Sequence, residues 1–434
     1  MARKMKDSGI EWIGEIPEGW ETINPKALFT QRKDRASKGE RQLTSSQQYG
    51  ILYQDEYMEL TGSKVVTVEK DFDILKHVEA GDFVISMRSF QGGLEYSTKS
   101  GAISSAYVML VPNLELVYPR FYRWLLKSSV YIDALQRTTN MVRDGQAMRY
   151  SNFAQVRLFT LPLDEQKSRA DFLDLECSSI DKILFKTRSS IEEYKKLKQA
   201  VITQVVTKGV RGEREMKPTD FTRWSEIPFD WNLKRVKSCI ASISSGLSAV
   251  TDDANSEESG NFVLRTSAVS SGFFIPTEVK PVLKSAVNRL ICPVEPDTLI
   301  VSRMNTASMV GACAYVANKH PYIFLPDKLW KIKFHPSYHT KYMWYALNSV
   351  PAKSWFSELA TGASSSMQNI SINDFTNNYL PIPAFSEQEE IADYLDAKCA
   401  EVDKLIAKKE QLVKELESYK KSLIYEVVTG KREV

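Results

Sequence analysis

SEQEEIADYLDAKCAEVDKLIAKKEQLVKELESYKKSLIYEVVTG, residues Ser386 to Gly430, is the stretch whose pattern sets the fold. Its apolar residues Ile391, Leu395, Val402, Leu405, Leu412, Leu416, Tyr419 and Leu423 recur at alternating three- and four-residue intervals. Lys398 and Lys409 fill two further positions of the same seam. Ser386-Glu387-Gln388-Glu389 has the form of a capping box, in which the Ser hydroxyl and the Glu carboxylate satisfy backbone N–H groups reciprocally. No Pro or Gly interrupts before Gly430, where a helix stop is expected. The spacing predicts one helix of roughly 43 residues, about 65 Å long. A helix of that length with one apolar seam needs a partner helix to cover it.

The partner is predicted within the same chain. A shift of 222 positions (165 to 387) lays Asp164 to Gly209 on the same pattern without a gap. Glu165-Gln166 then matches Glu387-Gln388, Leu173-Asp174 matches Leu395-Asp396, and Cys177 matches Cys399. Asp181-Lys182 matches Asp403-Lys404, Lys198 matches Lys420, and Val205-Val206-Thr207 matches Val427-Val428-Thr429. The repeat extends upstream of both helices. Glu15-Ile16-Pro17 with Trp20 returns as Glu226-Ile227-Pro228 with Trp231, and Phe153 returns as Phe375. The run from Asp82 to Arg88 returns from Asp297 to Arg303, in each case a turn, a short apolar strand, and Ser and Arg near its exit.

The expected fold is therefore α+β. Two similar globular domains are separated by two long helices that form an antiparallel intramolecular coiled coil, giving an approximate two-fold molecule. The expected boundaries are 1–160 for the first globular domain and 164–209 for the first helix. Residues 210–385 are the connector and second globular domain, and 386–430 the second helix. Val65 to Val68 reads as a strand, and Pro119 to Leu135 as one helix. The first-copy counterparts of Lys398 and Lys409 are Glu176 and Thr187. A base in one helix and an acid in the other would favour this pairing over self-association.

Composition narrows the function. Of 434 residues, 43% are hydrophobic and 26% charged, ordinary values for a globular protein, and the net charge of +3 confines any nucleic-acid surface to local patches. The five cysteines are scattered and odd in number, which argues for a reducing compartment and against a disulfide scaffold or zinc knuckle. Neither a signal peptide nor a run of 18 apolar residues is read in the sequence, so a cytoplasmic location is expected. Catalytic signatures are missing. Gly430-Lys431-Arg432 lacks the leading glycine of a phosphate loop. Gly92-Gly93 suits a turn. His335 and His339 have helical spacing but Pro336 intervenes and no acid lies between them, so no metal site is expected. Pro296-Asp297 and Pro326-Asp327 read as turns.

The globular domains are thus read as binding modules. The first carries Gln47, Lys64, Arg88, Ser89, Gln91, Arg143 and Gln146 at strand exits and in loops. The second carries Ser302, Arg303, Asn305, Lys328, Ser365, Gln368 and Asn369. Arg pairs with guanine, Asn or Gln with adenine, and Ser with either, while Lys and Tyr hold phosphates. Polar loops are solvated by default. Arg88 and Arg303 stand out because they occupy repeat-equivalent positions, where a structural salt bridge and a base contact are both open.

With these features together, the chain resembles the DNA specificity subunit of type I restriction-modification systems. The resemblance rests on Ile16-Pro17-Glu18-Gly19-Trp20, on Ile382-Pro383 running into Ser386-Glu387-Gln388, on the Leu-Asp and Asp-Lys pairs inside both helices, and on Val427-Val428-Thr429-Gly430-Lys431. It covers essentially the whole chain. It implies that each globular domain is a target recognition domain reading one half of a split, non-palindromic double-stranded DNA sequence. The helices would be conserved spacers that set the gap and dock two methyltransferase subunits. S-adenosylmethionine, ATP and Mg would belong to those and to motor-nuclease subunits, and this chain would bind no cofactor or metal and catalyse nothing. The alternative is a non-catalytic coiled-coil scaffold joining two protein-binding domains.

Overall fold

The structure is a computed structural model that describes residues 3–68, 72–86, 94–138, 149–248, 258–364 and 367–434. Two helices of 46 and 44 residues, Leu163–Lys208 and Phe385–Val428, carry the fold. The chain divides into two compact units, Met1–Arg188 with Glu410–Val434, and Ser189–Lys409, so each unit contains one stretch of each long helix.

In the first unit a four-stranded antiparallel sheet is formed by β1 (Phe29–Arg32), β2 (Phe83–Ser86), β3 (Leu94–Tyr96) and β4 (Tyr107–Pro112), in the order β1-β4-β2-β3. α1 (Pro119–Leu126) follows and buries Phe121, Tyr122, Leu125 and Leu126. The single helix expected to run to Leu135 is two helices, the second being Ser129–Arg137. The break falls at Ser128, whose hydroxyl donates to the Leu125 carbonyl (2.7 Å) and competes with helix continuation. Val65 to Val68 is not a strand either. The Gln42 side chain amide binds both backbone groups of Val68 (2.7 and 2.9 Å), which ties the segment down as a loop.

The long helices dock on this unit through polar residues that the repeat had already singled out. Glu165 accepts from the indole N–H of the fully buried Trp20 (3.1 Å), from Arg3 and from Arg169 (2.8 and 3.0 Å). Burial would raise this carboxyl, but the hydrogen bonds from Arg3, Arg169 and Trp20 outweigh it and hold it at about 2. Gln166 accepts from the Tyr118 N–H at the start of α1 (2.7 Å) and donates to Leu116 and Leu161 carbonyls (2.8 Å each). Asp174 binds Arg120, Arg123 and the indole of Trp124 on one face of α1. Between the helices, Arg169 reaches the Val427 carbonyl (2.8 Å), Asp181 pairs with Lys420 (2.6 Å), and Arg188 with Glu417. Residue numbers rise on one helix as they fall on the other, so the stretches run antiparallel. Their seam, with Leu173, Cys177, Ile180 and Leu184 on one side and Leu423 and Val427 on the other, joins the core of the globular part.

The second unit repeats this construction. Its sheet comprises β5 (Ile240–Ser245), β6 (Thr298–Ser302), β8 (Cys313–Val316) and β9 (Leu329–Phe334), in the order β5-β9-β6-β8, with the short β7 (Met304–Asn305) between β6 and β8 in the chain. α2 (Thr340–Leu347) follows, then the hairpin β10 (Thr361–Ser364) and β11 (Met367–Asn369). A further sheet, built from Glu258–Leu264, Val279–Leu283, Pro293–Val294 and His320–Phe324, has no counterpart of that size among the described residues of the first unit. Glu387 accepts from the indole of Trp231 (3.1 Å) and from Arg214, and Gln388 accepts from the His339 N–H at the start of α2 (2.8 Å). Asp396 binds Lys341 (2.5 Å) and the Tyr345 hydroxyl (2.8 Å) on α2. Lys198 pairs with Asp403 (2.6 Å), and Lys409 lies over the Tyr194 ring at 5.6 Å, so here too the helices are antiparallel.

The second long helix departs from the sequence pattern at its start, at Lys398, and at Leu405, Leu412 and Tyr419, seam positions that are each more than 40% exposed. The second long helix begins at Phe385, with the Glu387 and Gln388 N–H groups donating to the Ala384 carbonyl (3.0 Å each). Ser386 is therefore inside the first turn instead of capping it, because Glu387 and Gln388 are drawn into the globular part. Lys398 is exposed and pairs with Glu401 on its own helix, so it is not a seam residue. Both helices do stop at glycine. Gly209 and Gly430 take φ of +77° and +75°, and a Cβ on either would lie 3.2 or 2.9 Å from the ring of Trp231 or Trp20.

His77 adds a pH-dependent element to the first unit. On the strand Lys76–Val78, its ring nitrogens meet Glu40 (2.9 Å) and Glu79 (3.1 Å). Partial burial opposes its charge, but the two carboxylates outweigh it and raise the imidazole above its ordinary value.

Glu387, 1% exposed, leaves Trp231 and Arg214 without their acceptor when removed. Glu387→Ala is expected to destabilise the second unit by about 3 kcal/mol in urea unfolding, and Glu387→Gln by less, because the amide oxygen still serves Trp231. The raised folded-state value of His77 contributes stability that is full below about pH 6.5 and is lost as pH rises through that value. The stability difference between wild type and His77→Gln, measured by urea unfolding across this range, is expected to shrink as pH increases.

Candidate nucleic-acid interface

The sequence points to loops at strand exits, and the second unit brings several of them together. β6 is buried along its whole length, and its last residue, Ser302, is turned inward. The Ser302 hydroxyl donates to the Met304 carbonyl (3.2 Å), so it shapes the turn and is not presented to solvent as expected for a DNA-facing residue. The next residue, Arg303, is half-buried and held by its backbone on both sides. Its N–H donates to the Lys328 carbonyl (3.1 Å), and its carbonyl accepts from the Ile370 N–H (3.0 Å). β7 then pairs antiparallel with β11, Met304 opposite Asn369 and Asn305 opposite Gln368. Arg303, Asn305, Lys328, Gln368 and Asn369, separated by up to 66 positions, thus share one neighbourhood.

Their side chains have different surroundings. Arg303 Nε donates to Asn369 Oδ1 at 3.4 Å. The Asn305 amide is committed: Nδ2 donates to the Ser270 hydroxyl (2.8 Å), and Oδ1 accepts from the Thr306 N–H (2.9 Å). Gln368 Nε2 donates to the Gly362 carbonyl (3.5 Å) across the β10–β11 hairpin. That hairpin is tight at Gly362, where a Cβ would meet the Met367 carbonyl at 2.2 Å. Met367 itself is 57% exposed. Lys328 is exposed on the turn between the strand His320–Phe324 and β9. Ser365 lies outside the described residues.

In the first unit, Gln47 is exposed in the turn joining the hairpin strands Leu43–Ser46 and Gly50–Tyr53. Lys64 is exposed in the loop tethered by Gln42 and lines an open cleft of about 560 Å³ with Thr44, Gln54, Tyr57 and Ser104. Arg88, Ser89, Gln91, Arg143 and Gln146 lie outside the described residues. Sequence reasoning missed Gln42, Ser270 and Met367. A lone Gln or Ser carries no signal until the fold shows which distant loop it ties, but an exposed Met inside a polar run was visible.

Other chemistry finds little support among the described residues. No group of three or more His, Cys, Asp or Glu residues is placed to hold a metal ion. Burial pushes the thiols of Cys177 and Cys313 up to about 11 and about 12, which keeps both protonated and poorly nucleophilic near neutral pH. No helix is long and apolar enough to cross a membrane.

Comparison with known proteins agrees with this architecture. The family described as "Type I restriction modification DNA specificity domain" matches residues 229–417. The putative type I restriction enzyme MjaX specificity subunit of Methanocaldococcus jannaschii is 22% identical, over 96% of this chain and 95% of that protein. The type I restriction enzyme MjaVIII specificity subunit of the same organism is 23% identical, over 82% of this chain and 80% of its own length. Among solved structures, a chain reported under "Structural basis underlying complex assembly and conformational transition of the type I R-M system" shares the fold with a TM-score of 0.69. It is 15% identical, over 96% of this chain and 99% of its own. Residues 229–417, the second copy of the head-and-helix unit, thus match the type I restriction modification DNA specificity domain, and the chain is similar from end to end to a type I restriction enzyme specificity subunit.

Proposed function

We propose that this protein reads a bipartite, non-palindromic DNA sequence for a type I restriction-modification complex, one half-site per unit. The observation that carries this reading is the duplication itself. The sheet order and the Glu, Gln and Asp docking residues recur in both units, whereas the polar loops around Gln47 and Lys64 have no look-alike around Arg303 and Asn369. A repeated frame with unlike loops suits two related recognition events on different sequences. The long helices are proposed to set the unread gap and to dock two methyltransferase subunits, with motor-nuclease subunits completing the complex.

In this reading the protein is a non-catalytic, cytoplasmic subunit. S-adenosylmethionine, ATP and Mg act on the partner subunits, and this chain holds none of them. Gln47, Lys64, Arg88, Ser89, Gln91, Arg143 and Gln146 are proposed to serve the first half-site. Arg303, Lys328, Ser365, Gln368 and Asn369 are proposed to serve the second, with Ser302 and Asn305 supporting the turn. Two contacts on one duplex make the second intramolecular, so affinity rises steeply only when the gap fits.

Methylated adenines mapped genome-wide with and without this gene are expected to show a split motif that vanishes on deletion. Exchanging residues 1–160 for the corresponding domain of a relative is expected to change one half-site and leave the other. Simultaneous change of both would overturn the modular reading. Retention of DNA by the assembled complex should fall steeply with salt as phosphate contacts release counterions. Salt-independent behaviour with no motif would favour a protein scaffold.

A further inference from the structure

We infer that Arg303 reads a guanine in the half-site of the second unit and that Asn369 is the positioning residue that sets its guanidinium. This rests on the DNA-reading function proposed above and adds the base and the side-chain arrangement.

Among the described residues Arg303, like Arg235 and Arg265, has no carboxylate partner. In the same unit Arg211 pairs with Glu390, Arg214 with Asp230 and Glu387, and Arg223 with Glu358. In the first unit Arg32, at the edge of the sheet, is pinned by Asp82 (2.6 Å) and Asp34 (2.9 Å). Those arginines are structural. Among the described residues no carboxylate lies within ion-pair distance of Arg303, and the acceptor that holds its Nε is a neutral amide oxygen. An amide orients the guanidinium without neutralising it. The backbone is fixed as well, between Lys328 and Ile370, so the base of the side chain has little freedom.

With Nε occupied, the two terminal nitrogens remain as a fork of donors. Two parallel N–H donors match the O6 and N7 acceptors on the major-groove edge of guanine, and adenine offers an acceptor beside a donor. The amide that would best read adenine is unavailable at Asn305, whose two polar atoms are taken by Ser270 and Thr306. The surroundings separate a base edge from a phosphate. Met367 presents an exposed apolar side chain on the same hairpin as Asn369, which suits contact with bases and contributes nothing to a phosphate. Lys328, exposed on the adjoining turn, is the better phosphate ligand.

The test uses the assembled complex with methyltransferase, selecting methylated duplexes from a library randomised across both half-sites. Wild type is expected to require guanine at one position of the second half-site. Arg303→Ala should lower discrimination there by about 10- to 100-fold and leave the first half-site unchanged, which also shows that the variant is folded. Arg303→Lys keeps the charge but not the fork and should fail to restore the preference. Asn369→Ala should relax the same position by a smaller factor. Lys328→Ala should weaken binding evenly across sequences and flatten its salt dependence. Uniform loss in Arg303→Ala with rescue by Lys would make Arg303 a phosphate contact and overturn the inference. So would an Asn369→Ala effect that is absent or spread over all positions. A wild-type complex that selects no split motif would instead reject the function on which the inference rests.

Discussion

A carboxylate in the first turn of each long helix, hydrogen-bonded to a buried tryptophan, holds the architecture together. Glu387 is buried and Glu165 half-buried, and a desolvated carboxylate is tolerable only when its lone pairs are filled by donors. Each finds the indole N–H of a buried tryptophan and an arginine guanidinium. The donors come from distant parts of the chain, so satisfying one acid brings a hairpin, a helix start and a connector or terminus into register. The glycine that ends the other long helix packs against the same tryptophan ring. Replacing any member leaves a buried polar group unpaired, which is more costly than losing one surface contact.

The same logic explains which helix residues recur. Gln166 and Gln388 each satisfy the backbone at the start of a short helix, where N–H groups have no intrahelical partner. Asp174 and Asp396 bind the face of that helix. Asp181 with Lys420, and Lys198 with Asp403, bridge the antiparallel pair through repeat-equivalent residues. An exposed ion pair is worth little in energy. Its use here is orientation: an Asp and a Lys 17 positions apart in one helix (181 and 198) meet a Lys and an Asp with the same separation in the other only when the two run oppositely.

The loops carry the opposite character. The sheet exits, the β10–β11 hairpin and the segment tied by Gln42 hold polar side chains that the frame positions without consuming. Arg303 is the clearest case, since its backbone is fixed and its charge meets no carboxylate among the described residues. Ser302 and Asn305 show the complement, side chains with the right chemistry for DNA that the turn uses for itself.

The helices, their antiparallel pairing and the duplication were legible in the sequence because long periodicity and matched polar residues survive without knowledge of distant contacts. Trp20, Trp231, Glu165 and Glu387 were visible as repeats, though not as partners. What tertiary structure alone decided was local. Ser128 splits a helix, Gln42 turns an expected strand into a tethered loop, Lys398 leaves the seam, and Ser302 faces inward. Gln42 finds its partner far along the chain, at Val68, whereas Ser128, Ser302 and Lys398 bond Leu125, Met304 and Glu401 within three positions, contacts that the local sequence permits and that the surrounding packing selects.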